Sequence, residues 1–166
     1  MSVQPMLQRL EEMADLHRRL LALGRRKTRV LVDGLVDELA EITAEENRLV
    51  GRITVVERDL FQHAEQFLSE KGFPHDASPT LTDVIKLVFD PRERGALQSA
   101  RAELLKLLGE LRPVNELNRN LIEQSLAFVR HSIDTMTASP EDDMLYRHPD
   151  QQDQRYPGRG LFDARA

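Results

Sequence analysis

Between Pro5 and Glu70 no proline interrupts the chain, and the apolar residues recur at helical steps. Leu31, Leu35, Leu39, Ile42, Leu49, Ile53, Val56, Leu60 and Phe67 are separated by three, four or seven positions. That is the spacing of a helix with one apolar seam, close to the repeat of a coiled coil. The pattern predicts a single long helix over 5–70, about 100 Å in length at 1.5 Å per residue. Pro5 suits its first turn, where a missing N–H is harmless. Gly24, Gly34 and Gly51 fall inside it and are candidate bend points; each costs about 1 kcal/mol relative to Ala, but single glycines are tolerated.

Lys71-Gly72-Phe73-Pro74 reads as the stop, with Gly72 as a left-handed cap and Pro74 blocking continuation. After a loop over 75–80, Thr80 or Thr82 caps a short helix from Leu81 to about Phe89. Asp90-Pro91-Arg92-Glu93 then starts a second long helix, with Asp90 as N-cap, Pro91 in the first turn and an acid three residues after the cap. This helix is expected to reach about Thr137, where Ser139-Pro140 closes it. Pro113 lies inside and predicts a kink rather than a break. The fold class is therefore all-α: long antiparallel helices in a coiled-coil-like bundle with one short connecting helix. Residues 1–139 make the helical domain, and the polar stretch 140–166 reads as a mostly disordered C-terminal tail. In that tail, Leu145-Tyr146 and Leu161-Phe162 are two apolar spots able to dock on a groove.

Composition agrees with long helices: 5% aromatic and 31% charged residues suit neither a sandwich nor a barrel. A formal net charge of −5 argues against nucleic acid as a partner. The one basic run, Arg25-Arg26-Lys27-Thr28-Arg29, reads as a solvated helix face. There is no cysteine, which removes disulfide and thiolate chemistry and fits a reducing compartment. No apolar run approaches the roughly 20 residues of a bilayer span, and the N-terminus lacks a signal-peptide core. The expectation is a cytoplasmic, soluble chain with no stable membrane insertion.

The segment from Asn115 to Val129 carries the most specific signal. At about 100° per residue, Val114, Leu117, Leu121, Ile122, Leu126, Phe128, Val129 and Ile133 cover about half the helix circumference, where a simple core-facing stripe takes roughly 100°. Asn118 and Ser125 fall in the middle of the arc, and Asn115 nearer its edge. Such a half-cylinder exceeds what one antiparallel neighbour buries, so the segment looks built for two partners, one of them foreign. The alternative is that two helices of the same chain bury it, with Asn118 and Ser125 hydrogen-bonding inside the bundle. A second surface follows from length. A second helix of about 70 Å folded back on the first leaves roughly 30 Å of the N-terminal end uncovered. That overhang carries Leu7, Leu10, Met13, Leu16, Leu20 and Leu21, and exposed apolar surface of this extent marks an interaction site. A homodimer, the tail or a client would cover it.

This segment resembles the signature of the FlgN family of flagellar export chaperones: Asn115 and Asn118, then Leu121-Ile122, Ser125-Leu126 and Phe128-Val129. Lys27 to Asp33, followed by Leu39, Glu45-Glu46 and Leu49-Val50, is similar to the family's first helix. Leu81-Thr82 is similar to its next helix start, and Gly160 to Ala166 resembles the ending of some members. Pro113 departs from the family pattern, in which that stretch runs uninterrupted. The resemblance implies a cytosolic chaperone of flagellar type III secretion. It would bind the terminal amphipathic segment of the hook–filament junction proteins, prevent their self-association and pass them to the export apparatus. It places client binding on Val114, Leu117, Asn118, Leu121 and Ile122, and further along on Ser125, Leu126, Phe128, Val129 and Ile133.

No enzyme signature competes. There is no phosphate loop and no metal-ligand spacing among His17, His63, His75, His131 and His148, so no catalytic residue, cofactor or metal is expected. Two other classes stay open. One is a structural coiled-coil protein that dimerises through Leu7–Leu21. The other is a histidine phosphotransfer domain using His131, which lies opposite the apolar arc.

Overall fold

The computed structural model describes residues 2–72 and 79–138. Among these, four helices and no strand form: α1 (Gln4–Asp33), α2 (Val36–Glu70), α3 (Leu81–Leu87) and α4 (Pro91–Thr137). Contacts divide the chain into two units, Met1–Glu123 and Gln124–Ala166. Pro74, Ser139-Pro140 and the tail, with the expected boundary at 139/140, lie outside the described residues.

The expected 5–70 helix is in fact two. α1 ends at Gly34, whose φ of 70° places it in the left-handed region. A Cβ is penalised there, and glycine carries none. The Gly34 N–H and the Leu35 N–H both reach the carbonyl of Val30, the latter at 3.1 Å, the six-to-one closure of a Schellman cap. α2 then returns antiparallel to α1. Folding back is favoured because each half carries an apolar seam that only the other can cover within so short a loop. Met13 and Leu16 of α1 are buried against Leu49 and Val56 of α2. The polar edges agree in direction: Arg52 donates to Glu12 at 2.6 Å, and Lys27 donates to Glu46 at 2.7 Å.

The predicted N-terminal overhang therefore does not exist. Leu10, Met13, Leu16 and Leu21 are buried, and Leu7 and Leu20 are partly buried against the same clusters. These residues are the inner seam of α1, the central helix. A homodimer through Leu7–Leu21 loses its surface with them.

α2 stops as predicted. Gly72, at φ 75°, donates to the carbonyl of Ser69 at 3.0 Å. Thr80 caps α3 in a capping box: its hydroxyl accepts from the Asp83 N–H while Asp83 accepts from the Thr80 N–H. Asp90 begins α4, its carboxylate accepting from the Arg92 N–H at 2.8 Å. The Arg94 guanidinium folds back onto the carbonyl of Val88 at 2.7 Å and fixes the α3–α4 corner. One end of the bundle is closed by all four helices, where Val3, Met6 and Leu10 meet Phe67, Leu68, Val84, Val88 and Leu97. α4 lies along the other flank of α1, with Ala14 and Leu21 against Leu107 and Leu111. It runs in the same direction as α1, since Arg18–Glu103 (3.1 Å) and Arg25–Glu110 (3.2 Å) advance together. α4 continues through Pro113 as helix. Gly109, four residues earlier, supplies the carbonyl that the proline ring crowds, on the most adjustable backbone available.

Candidate functional site

The Asn115–Val129 signature divides in space between the two units. In the first, Asn118 is 3% exposed. Its Nδ2 donates to the carbonyl of Gly24 at 2.8 Å, and its Oδ1 accepts from the Thr28 hydroxyl at 2.6 Å. The expectation that Asn118 meets a client is corrected: this amide is satisfied inside the bundle and fixes the register of α4 on α1. Val114 packs beside it, partly buried against Leu21 and Leu111. A Cβ built at Gly24 would stand 3.0 Å from Val114 Cγ1, so α1 and α4 approach closely at Gly24. Leu121 and Ile122 are partly buried and Leu117 is exposed.

Ile122 also borders a groove of about 460 Å³ between α2 and α4, floored by Leu20 of α1 and flanked by Val50 and Leu111. Its rim is charge-balanced, with the Lys27–Glu46 pair on one side and Arg119–Glu123 (2.9 Å) on the other. The basic run is the solvated helix face expected of it, with Arg25, Arg26 and Arg29 exposed, and its side chains also pair across helices: Arg25 reaches Glu110 on α4, and Arg26 and Lys27 reach Glu38 and Glu46 on α2. Such pairs at a surface contribute up to about 1 kcal/mol each and mainly set register.

The described part of the second unit is the end of α4. There Leu126 is 50% exposed, Phe128 72%, Val129 50%, Ile133 53% and Met136 87%. Ser125 is exposed as well. Met136 was not among the expected residues, although its position three after Ile133 and seven after Val129 puts it on the same helical face. Leu126, Val129, Ile133 and Met136 form a stripe with no charge within it; Arg130, four residues after Leu126, flanks it, and His131 lies on the opposite side of the helix. Three hydroxyls on this stretch are satisfied by the helix itself. Ser132 donates to the carbonyl of Phe128 at 2.9 Å, Thr135 to His131 and Thr137 to Ile133 at 2.8 Å each. The arrangement offers apolar contact area and no reactive group. His131 is exposed. Among the described residues no group of His, Asp or Glu gathers to hold a metal, and no helix is long and apolar enough to cross a membrane.

A second apolar cluster that the sequence reading missed sits at the α1–α2 turn, where Val32, Leu35 and Val36 are exposed. Its signal was the Asp33-Gly34 turn dipeptide, which places the hydrophobic residues on either side at a helix-hairpin tip.

Comparison with known proteins adds the family. The family model described as "FlgN protein" matches residues 1–154. A protein of Bacillus subtilis strain 168, named "Uncharacterized protein YvyG", is 29% identical over 136 residues, covering 82% of this chain and 81% of that protein. No solved structure matches. With the order of its motifs, its all-helical bundle and a match over nearly its whole length, the chain belongs to the FlgN family of flagellar export chaperones.

Proposed function

We propose that the protein is a cytosolic chaperone of flagellar type III export. It binds the terminal amphipathic helix of hook–filament junction proteins, keeps them from associating early and hands them to the export apparatus. The observation that carries the reading is the row of large apolar side chains left exposed on 126–136 of α4. A foreign helix laid on that row would use anchors at i, i+3, i+4 and i+7, the usual mode of helix recognition. Leu126, Phe128, Val129, Ile133 and Met136 are the contact residues, with Leu117, Leu121 and Ile122 as a further patch in the first unit. Burying about 500 Å² of apolar area yields roughly 12 kcal/mol at 25 cal/mol per Å², and ordering costs remove much of it. What remains suits a grip that is firm in the cytosol and reversible at the export gate. Asn118 acts in this scheme by holding α4 in place, not by touching the client.

The test is co-purification of the full chain with a hook–filament junction protein. Phe128→Asp should lose about 30-fold or more in affinity, the size of an interface hot spot, with an unchanged circular dichroism spectrum because Phe128 supports no core. Undiminished capture by a folded Phe128→Asp, Ile133→Asp double variant would place the client elsewhere.

A further inference from the structure

We infer that the outer face of the α2–α4 pair in the first unit is a docking surface for an amphipathic helix that carries carboxylates along one edge of its apolar seam. The inference does not rest on the chaperone reading above: it uses none of the residues on 126–136, and its test contains no junction protein.

α2 and α4 both pack on α1 and run in opposite directions. Leu60 and Leu104 share the same two cores, whereas Val50 borders the groove that Leu111 and Asn115 line. On α4, Arg101, Leu105, Leu108 and Arg112 follow at steps of four, three and four, within about 60° of one another on the helix. On α2, Val50, Thr54, Glu57 and Phe61 follow with the same steps. Each row shares its helix face with residues that line the groove, Val50 on α2 and Arg119 and Glu123 on α4, so the two rows flank one furrow. Its apolar side chains are open to solvent: Val50 is 51% exposed, Phe61 43%, Leu105 53% and Leu108 40%. Beneath them Ile53, Leu60 and Leu104 are only partly buried. Three helices with such a furrow between two of them lack the fourth that would close a bundle.

Charge selects the occupant. Arg101 and Arg112 bracket the two leucines, are exposed, and form no ion pair among the described residues. Glu103, Glu110 and Glu123 of α4 are already engaged by Arg18, Arg25 and Arg119, and Glu116, four residues after Arg112, makes no pair with it. Two guanidinium groups about 16 Å apart along a helix suit two carboxylates three turns apart on a partner, each held by parallel N–H···O bonds. Glu57, the one charge in the α2 row, is exposed across the furrow, so the partner's acidic edge lies over α4. A second copy fits poorly: pairing the α4 rows about a two-fold axis would bring Arg101 of one copy to Arg112 of the other, like charge against like. The four exposed apolar side chains present on the order of 350 Å², and a helix laid on them gives about 700 Å² in total, the size of weak and transient pairing. At that size the ion pairs set partner choice more than strength.

The decisive experiment titrates the full chain into two fluorescein-labelled synthetic helices of about six turns, read by anisotropy. Both carry a leucine seam at steps of three and four; one has glutamates along one edge, the other lysines at the same positions. At about 20 mM salt the acidic helix should bind in the micromolar range, about tenfold or more tighter than the basic one, and the gap should narrow at about 300 mM salt. That preference runs against the chain's net charge of −5, which by itself favours the basic helix. Arg101→Glu with Arg112→Glu should invert the preference. Leu105→Gln with Leu108→Gln should weaken the acidic helix about tenfold or more, with an unchanged circular dichroism spectrum because neither leucine belongs to a core. Phe128→Asp with Ile133→Asp should leave this binding within about twofold. Equal affinity for the two helices, a preference that survives the arginine reversal, or no binding up to about 1 mM protein overturns the assignment. So does binding lost only in the Phe128→Asp, Ile133→Asp variant, which would move the helix to the end of α4. A chain mass that rises with concentration and reverts in Leu105→Gln, Leu108→Gln would give the furrow to a second copy and overturn it as well. The chaperone reading stands or falls separately, on capture of a junction protein.

Discussion

The Asn118 side chain bridges two α1 residues at once, donating to the Gly24 carbonyl at 2.8 Å and accepting from the Thr28 hydroxyl at 2.6 Å. A buried amide satisfied on both ends resists sliding, because any shift of α4 along α1 strands a donor and an acceptor together. Asn118→Ala should destabilise the bundle by about 1–2 kcal/mol, read from the urea midpoint. The loss is limited because Thr28 has a second acceptor within reach, the Gly24 carbonyl at 3.1 Å. A double-mutant cycle with Thr28→Val should show coupling of about 0.5 kcal/mol or more. Client affinity of the folded variant should stay within a few-fold of the parent, which separates a register role from direct contact.

The glycines of α1 and α2 look alike in the sequence and differ in space. A methyl group at Gly24 would stand 3.0 Å from Val114 Cγ1, whereas one at Gly51 meets nothing within 4 Å. Gly51→Ala should therefore stabilise by about 0.5–1 kcal/mol through helix propensity alone. Gly24→Ala gains the same propensity and must push away a β-branched side chain whose χ1 is stiff. Overpacking costs about 1–3 kcal/mol, so the net sign is destabilising. Val114→Ala in the same chain should recover most of the difference, measured as the shift of the thermal midpoint between single and double variants.

These residues also show how far the sequence could be read. Capping chemistry is local, so Gly72, Thr80 and Asp90–Pro91 announced their ends correctly. The break at Gly34 was hidden because the α1 and α2 seams both step by three and four, and a period alone does not tell a straight helix from a hairpin. Asp33-Gly34 was the only local clue. Once the chain turns there, Leu10 and Leu16 move from a predicted free surface to the middle of the core. The apolar arc on α4 was visible as a pattern. Its division into an inward Asn118 and an outward Phe128 was not, because that depends on which other helices lie beside it.

Glu12 couples the α1–α2 seam to pH. The Arg52 hydrogen bonds, aided by the charges of Arg52 and Arg9 and opposed by partial burial, hold its carboxyl below the ordinary glutamate value. A carboxyl whose pKa is lower folded than unfolded stabilises the fold above the unfolded value, and this stabilisation is lost as pH falls through the folded value. The urea midpoint should thus fall from pH 6 toward pH 3. In Glu12→Gln that fall should be smaller, while the midpoint at pH 7 is already lower. Equal pH slopes for parent and variant would show that Arg52 and Glu12 are not coupled in solution.

Pro113 sits one residue before Val114, where α4 meets Gly24, yet the helix continues through it and its ring is exposed. It removes the N–H that would reach the Gly109 carbonyl and crowds that carbonyl as well. Nothing in the surrounding packing uses the ring. Pro113→Ala should therefore stabilise the chain by about 1–3 kcal/mol, less than the full interior penalty because Gly109 already relaxes the strain. Hydrogen exchange should localise the gain: the amides from 110 to 118 should slow more than those of α2. If stability instead drops and the Asn118–Thr28 coupling disappears with it, the proline sets the angle at which α4 crosses α1. The register lock would then depend on a bend that an unbroken helix cannot supply.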